Sequence, residues 1–293
     1  PGVSSLAVLL YSGIPLSVLP VILYSSIAKF TLLAIPFFIL AGFIMEKAGI
    51  SRRLISFANA LVGHLKGGLI IVMVLTSLFF AAISGSGPAT VAALGVILIP
   101  AMVKAGYHPA KSAALMAMSG GIGVIIPPSI TYVIYGVVAS QSIGKMFIAG
   151  IIPGIIIGVA LMIAGLVSER RGKFVRDEKK SFKEQCAAFK DAFWGLLTPI
   201  IILGGIYGGI FTPTEAAAVA CVYGLFVGVF IYKEFKLKEL IDTLIKASIS
   251  TAVVMLIISS ASIFAWVVTV EGITETISRG ILSVITDKTV FLI

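Results

Sequence analysis

The chain of 293 residues is 59% apolar and 12% charged, with a mean hydropathy of +1.13, more apolar surface than a soluble core of this length can hide. That composition marks a polytopic membrane protein. Its net charge of +9 does not imply nucleic acid as a partner, because the basic residues are distributed as membrane topology distributes them.

Apolar segments near or above the roughly 20 residues that a spanning helix needs run over 3–24, 31–47, 67–103, 109–136, 146–167, 191–232, 247–270 and 273–293. An all-α fold follows, since the short alternating strands of an outer-membrane barrel are not seen. All but four of the 22 Lys and Arg fall in four connections. These hold Lys47, Arg52, Arg53 and Lys66; Lys104 and Lys111; the run from Arg170 to Lys190; and Lys233, Lys236, Lys238 and Lys246. The positive-inside rule makes all four cytoplasmic, with the N-terminus on the same side and only Lys29 and Lys145 clearly opposite. Trp194 and Trp266 fall near span ends, as interfacial aromatics do. Residues 50–62, "ISRRLISFANALV", carry apolar positions at helical spacing behind two arginines, the pattern of a short helix at the cytoplasmic interface. One membrane domain is expected, with a first lobe 1–167, a basic cytoplasmic connection 168–190 and a second lobe 191–293.

Segment 67–103 is interrupted by "AAISGSGPATVAALG". Its arms, 67–84 and 88–103, are each slightly short for a crossing, and both outer ends are basic. A pair of spans joined by a tight outer turn and a re-entrant hairpin ending inside the membrane both fit the charge topology. The hairpin is favoured because a turn at the outer surface usually gains charged or bulky residues. Irregular backbone at membrane depth is tolerated against protein or a wet cavity. In a hairpin, carbonyls at the end of the first arm and N–H groups at the start of the second converge near Ser84, Gly85, Ser86, Gly87, Pro88 and Thr90. Such a point can hold a cation beside an anion.

A second break interrupts the next apolar stretch, "ALMAMSGGIGVIIPPSITYVIYG". Gly120, Gly121, Gly123, Pro127, Pro128 and Ser129 free several backbone groups that need new partners. A packed kink would account for the proline pair alone. Interrupted helices in neighbouring segments point instead to a transporter's midplane site.

Further along, "GGIYGGIFTPTEAAAVA" places Thr212, Pro213, Thr214 and Glu215 as a capping box opening a helix, with Glu215 also a secondary candidate for holding a cation or a conformational contact. Gly154 with Gly158, and Gly205 with Gly209, have the small-xxx-small spacing of close helix packing. Cys186 and Cys221 have no metal spacing and are expected to be unpaired structural thiols. His64 and His108 lie in or beside basic connections and are assigned no chemistry.

"IPFFILAGFIMEKAGISRRL", "FFAAISGSGPATVAALGVILIPAMVKAGY", "GVIIPPSITYVIYG", "FIAGIIPGIIIG" and "GGIYGGIFTPTEAAAVA", in this order along nearly the whole chain, closely resemble the large membrane subunit of TRAP transporters, the tripartite ATP-independent periplasmic carriers. The resemblance implies an elevator-type carrier in a prokaryotic inner membrane that imports small organic acids with sodium. No resident cofactor is expected. Its implied partners are a small membrane subunit and an extracytoplasmic substrate-binding protein. By the same resemblance, sodium would bind at Ser84–Gly87 and Gly120–Ser129, beside the substrate. A carboxylate suits helix N-termini, and sodium suits carbonyls and hydroxyls. The family normally continues into a second hairpin and a second proline-pair break, whereas "PPS" occurs once here. With no Met at Pro1 and an apolar end, a fragment is expected.

The runner-up is a carrier of the same superfamily without a binding protein, an anion exchanger or dicarboxylate symporter. An intramembrane enzyme lacks support, because the spans hold no His-containing catalytic pair, acidic metal motif or phosphate loop. A channel lacks a ring-forming charged set.

Overall fold

The computed structural model describes residues 1–170, 172, 174–175 and 177–284. Its helices are α1 (Gly2–Tyr11), α2 (Val18–Ile27), α3 (Ala34–Lys47), α4 (Ile50–Val62), α5 (Gly68–Ser84), α6 (Gly87–Lys104), α7 (Pro109–Ile125), α8 (Ile130–Val138), α9 (Ile143–Ser168), α10 (Phe182–Tyr207), α11 (Pro213–Phe226), α12 (Leu240–Val270) and α13 (Ile273–Val284). No strand occurs among the described residues. Among the described residues, six helical stretches are long and apolar enough to cross a bilayer, or seven if α7 and α8, bent by 44° at their junction, form one crossing. The protein is an all-α polytopic membrane protein.

Two compact units emerge, one built from 30–251 and the other from 1–29 with 252–293, so that α12 contributes to both. The smaller unit does not contain the single span expected over 3–24. The chain turns between α1 and α2, where Gly13 adopts a φ of +66°, a conformation that costs glycine little, and Pro15 follows. Leu9, Ile263 and Val267 form its buried centre, with Val8, Leu19, Ile22 and Trp266 packed around them. Ser259 donates a hydrogen bond to the Leu23 carbonyl at 2.8 Å, giving a buried hydroxyl its partner. The final residues of the last predicted span, 285–293, lie outside the described residues.

In the larger unit, α3 and α11 make the most intimate pairing. The reason lies in side-chain size: α11 buries Ala216, Ala217, Ala220 and Gly224, and α3 brings Ile35, Phe38, Ile44 and Met45 against so flat a surface. A Cβ on Gly224 would lie 3.2 Å from both Ile44 and Met45. Between these helices the Cys221 thiol donates to the Phe37 carbonyl at 3.0 Å, while Cys186 is exposed; both cysteines are free, as expected. A second group packs α5, α6, α7 and α9 together, with α8 against α9. Gly154 and Gly158 seat Ile126 and Leu78 on α9. The other glycine pair does not pack helix on helix. Gly205 is capped by the ring of Phe211 from its own loop, and Gly209 sits beyond the helix end at a φ of +69°.

The expected short amphipathic helix over 50–62 is α4, with the same limits. It stands in a knot of charge. Arg53 donates to Asp191 at 3.2 Å, pairs with Glu234 at 2.8 Å and stacks over the Tyr232 ring at 3.8 Å, and Arg52 meets Glu234 at 2.6 Å. Lys47 lies 3.9 Å from Glu239 and 3.8 Å from Asp242; Lys111 lies 3.2 Å from Glu169. The Val175 N–H bonds to the Ala105 carbonyl at 3.0 Å, and Phe174 stacks on Tyr107 at 3.8 Å. All four basic connections are therefore joined to one another at one end of this unit, the arrangement that a shared membrane side requires. Burial opposes the charge on Arg53, yet Glu234 and Asp191 outweigh it and hold the guanidinium above its usual range.

Candidate ion and carboxylate site at the paired helix breaks

The hairpin expected over 67–103 is α5 and α6, packed side by side and separated by Gly85 and Ser86. Gly85 ends α5 in the left-handed region at a φ of +61°, and its N–H returns to the Ala81 carbonyl at 2.9 Å. Ser86 caps α6, accepting from the Ala89 N–H at 3.4 Å, and Pro88 occupies the first turn, where a missing N–H costs nothing. Three oxygens gather within the turn. Thr90 Oγ1 donates to the Ser86 carbonyl at 2.8 Å and lies 3.3 Å from Ser84 Oγ, which lies 3.4 Å from the same carbonyl. Ser84 and Thr90 are buried.

The second break, expected over Gly120–Ser129, is confined to Ile126–Ser129: α7 runs helically through Gly120, Gly121 and Gly123 to Ile125, so these glycines release no backbone groups, and a cis bond joins Pro127 and Pro128 beyond it. Ser129 spans the gap: its hydroxyl donates to the Val124 carbonyl at the end of α7 and accepts weakly, at 3.5 Å, from the Tyr132 N–H in the first turn of α8. One side chain thereby partners two of the backbone groups that the prolines release.

The two breaks meet. The Ile130 N–H, first in α8, donates to the Gly85 carbonyl at the hairpin tip at 3.1 Å. A Cβ on Gly85 would lie 2.5 Å from the Pro128 carbonyl oxygen, one on Gly87 would lie 2.9 Å from the Gly120 carbonyl, and one on Gly123 would lie 3.0 Å from both the Ser86 carbonyl and Thr90 Oγ1. These glycines let backbone lie on backbone, which leaves carbonyls of both breaks as close neighbours. Ser84, Gly85, Ser86, Gly87, Thr90, Gly120, Gly123, Pro128 and Ser129 thus share one region, with Pro127 buried beside them. Pro88 and Gly121 are exposed, and nothing lies within 4 Å of a Cβ placed on Gly121.

One element of the expected chemistry is corrected. The backbone groups at the breaks are not all left for a ligand: Gly85 O, Ser86 O and Val124 O already accept bonds from Ile130, Thr90 and Ser129. Ser86 O takes the Thr90 N–H as well as the Thr90 hydroxyl and is filled, whereas Gly85 O and Val124 O each keep a second lone pair, so the cluster can still face a cation through these two carbonyls and the hydroxyls. It offers only neutral oxygens. The helix starts at Gly87 and Ile130 bring two positive dipole ends to the same region, the feature that favours a carboxylate.

Residues outside the expected set complete the wall. Gly42 of α3 faces the Ser84 Cβ at 3.4 Å from its own Cβ position, and Gly150 of α9 seats Tyr132 and the Ile125 carbonyl. Gly42 is a lone glycine within an apolar helical pattern, and Gly150 extends the four-residue spacing of Gly154 and Gly158; both are signals of close approach. Ser119, two turns before the break, is fully buried with its hydroxyl unpartnered. The secondary candidates lie in a cap. Glu215 accepts from the Thr212 N–H at 2.8 Å and its hydroxyl at 2.9 Å, and Thr212 Oγ1 accepts from the Glu215 N–H at 3.3 Å, with Pro213 in the first turn and Thr214 buried. Every one of those bonds stays within the helix start, as the capping box predicts. Among the described residues no group of three or more His, Cys, Asp or Glu side chains converges as a metal site.

Comparison with known proteins agrees with this architecture. The family model described as "Tripartite ATP-independent periplasmic transporter, DctM component" matches residues 2–293. The chain is 45% identical over 294 residues to the isethionate TRAP transporter permease protein DctMQ of Oleidesulfovibrio alaskensis, covering 100% of this chain and 46% of that protein. It is 44% identical over 289 residues to the C4-dicarboxylate TRAP transporter large permease protein DctM of Pseudomonas aeruginosa, covering 99% and 68%. It is also 42% identical over 268 residues to the sialic acid TRAP transporter large permease protein SiaM of Vibrio cholerae, covering 91% and 62%. The chain therefore spans between about half and two thirds of the length of these relatives. With a helix-rich fold, six or seven apolar spans among the described residues and a family match over residues 2–293, this multi-pass inner-membrane chain belongs to the DctM family of tripartite ATP-independent periplasmic transporter components.

Proposed function

We propose that the chain forms part of a sodium-coupled secondary importer of a small organic acid, delivered by an extracytoplasmic binding protein and working beside a small membrane subunit. The observation that carries this reading is the hydrogen-bonded meeting of two helix breaks, Gly85 with Ile130, inside an apolar bundle. Sodium would sit among the neutral oxygens of Ser84, Ser86, Thr90 and the Val124–Ser129 turn. The carboxylate would face the starts of α6 and α8. Isethionate, C4-dicarboxylates and sialic acid, named for the relatives, are all small acids that such a pair of helix starts would favour. Binding at the seam would stabilise one packing of the α5–α9 group and so bias an elevator-like displacement against the α3–α11 layer.

The test is uptake of radiolabelled organic acid into proteoliposomes with the partner subunits present. Uptake is expected to require an inward sodium gradient and to fall at least tenfold when potassium replaces sodium. Uptake that continues without sodium and follows a proton gradient would overturn the coupling. Uptake without the binding protein would favour a carrier that captures its substrate directly.

A further inference from the structure

The described larger unit contains a partly open cavity of about 220 Å3 lined by none of the residues assigned to the helix breaks. Its walls come from α5, α6, α7 and α9, through Ile70, Met102, Leu115, Met118 and Leu161, and they are almost wholly apolar. Charge is confined to the mouth, where Lys111 and Glu169 face each other at 3.2 Å. One flank is closed by Tyr107, which stacks on Phe174 of the basic connection, while the Val175 N–H bonds to the Ala105 carbonyl. This is the end at which the four basic connections meet, the headgroup level of the bilayer under the positive-inside rule.

An apolar hollow with a polar, cationic mouth at that depth matches an amphiphile. We infer that the cavity binds the acyl chain of an anionic phospholipid from the leaflet on the basic side, its phosphate held at Lys111. The Lys111 ammonium donates to the Ser168 carbonyl at 3.2 Å and pairs with Glu169 at 3.2 Å, and its half-exposed side chain keeps donor capacity for a phosphate. Lys104, two residues past the lining Met102, and Arg170, next to Glu169, are exposed and have no ion-pair partner among the described residues. Lys111 lines the mouth, and Lys104 and Arg170 follow lining residues within two positions along the chain, so this end carries a local surplus of positive charge that favours an anionic over a zwitterionic headgroup. A free phosphate would gain the same ammonium but nothing from the apolar walls, so the acyl chain is the part of the ligand that the cavity itself recognises.

The experiment compares the protein, purified with its native partners, in nanodiscs of phosphatidylglycerol and of phosphatidylcholine, with native mass spectrometry for retained lipid and thermal unfolding for stability. Phosphatidylglycerol is expected to be retained at least threefold more often and to raise the melting temperature, and millimolar inorganic phosphate added to phosphatidylcholine discs is expected to do neither. Ala114→Phe and Ala164→Phe place a ring in the cavity from exposed positions on two different helices. Each should abolish the retention and the lipid-dependent shift while leaving the melting temperature in phosphatidylcholine unchanged. If neither variant folds, the double substitution Lys111→Gln with Glu169→Gln, which removes both charges together, should lose the preference for phosphatidylglycerol. Equal retention of the two lipids, retention unaffected by a folded variant, or a phosphate effect equal to that of the lipid would each overturn the proposal.

Discussion

Replacing Gly85 by Ala tests whether the hairpin tip and the broken helix are joined as described. Two costs add. Alanine at a φ of +61° takes on the left-handed penalty of about 1–2 kcal/mol. Its Cβ would also lie 2.5 Å from the Pro128 carbonyl oxygen, an atom of the backbone that cannot rotate away, and forced overpacking of this kind costs about 1–3 kcal/mol. Together the substitution should destabilise the protein by about 2–5 kcal/mol, part of it through displacement of the Ile130 N–H from the Gly85 carbonyl. Gly121→Ala is the matched control. That glycine is helical and exposed, with nothing near its Cβ position, so alanine should be neutral or stabilising by up to about 1 kcal/mol. Equilibrium unfolding in mixed micelles measures both. Equal stabilities for Gly85→Ala and the parent, or equal losses for the two variants, would refute the backbone-on-backbone seam.

Three further outcomes follow from the same geometry. Thr90→Val removes a hydroxyl bonded to Ser86 O while the Thr90 N–H bond to that carbonyl persists, so stability should fall by only about 1 kcal/mol; the sodium concentration for half-maximal uptake should rise severalfold, and an unchanged sodium dependence would remove Thr90 from the ion site. Glu215→Gln preserves the acceptor for the Thr212 N–H and should retain uptake, whereas Thr212→Ala should cost about 0.5–2 kcal/mol of stability; a folded Glu215→Gln protein without uptake would show that the charge has a role beyond the cap. Arg53→Lys gives up the fork that reaches Asp191 and Glu234 together and the stack on Tyr232, and a double-mutant cycle with Glu234→Gln should report a coupling of about 0.5–3 kcal/mol; additive losses would mean that the pair is incidental.

Much of this architecture is written in local sequence. Composition and charge spacing are one-dimensional properties, and they identify the all-α membrane fold, α4 over 50–62 and the convergence of the basic connections. Caps are local too, which is why the Thr212–Glu215 box lies where its chemistry suggests, while Ser86 and Ser129, read from the sequence only as polar groups at the breaks, cap α6 and α8. Contacts between distant segments were less legible. Nothing along the chain says that the Ile130 N–H reaches Gly85, or that Gly120 and Gly123 face the tip while Gly121 faces outward. Hydropathy windows also blurred two ends. The 3–24 segment conceals the turn marked by Gly13 and Pro15, and α12 begins at Leu240, before its expected start, because Asp242 and Lys246 depress the average although both are paired at the helix end.

The bond between Ile130 and Gly85 has a mechanical consequence. Four helix ends, those of α5, α6, α7 and α8, terminate on one seam, and the glycine contacts around it leave no slack for one to slide past another. A small ion lodged there would touch all four at once. The smallest possible ligand would then act on the largest possible set of levers, and its occupancy would be transmitted to the whole helix group as a change in rigidity, without any single side chain having to travel.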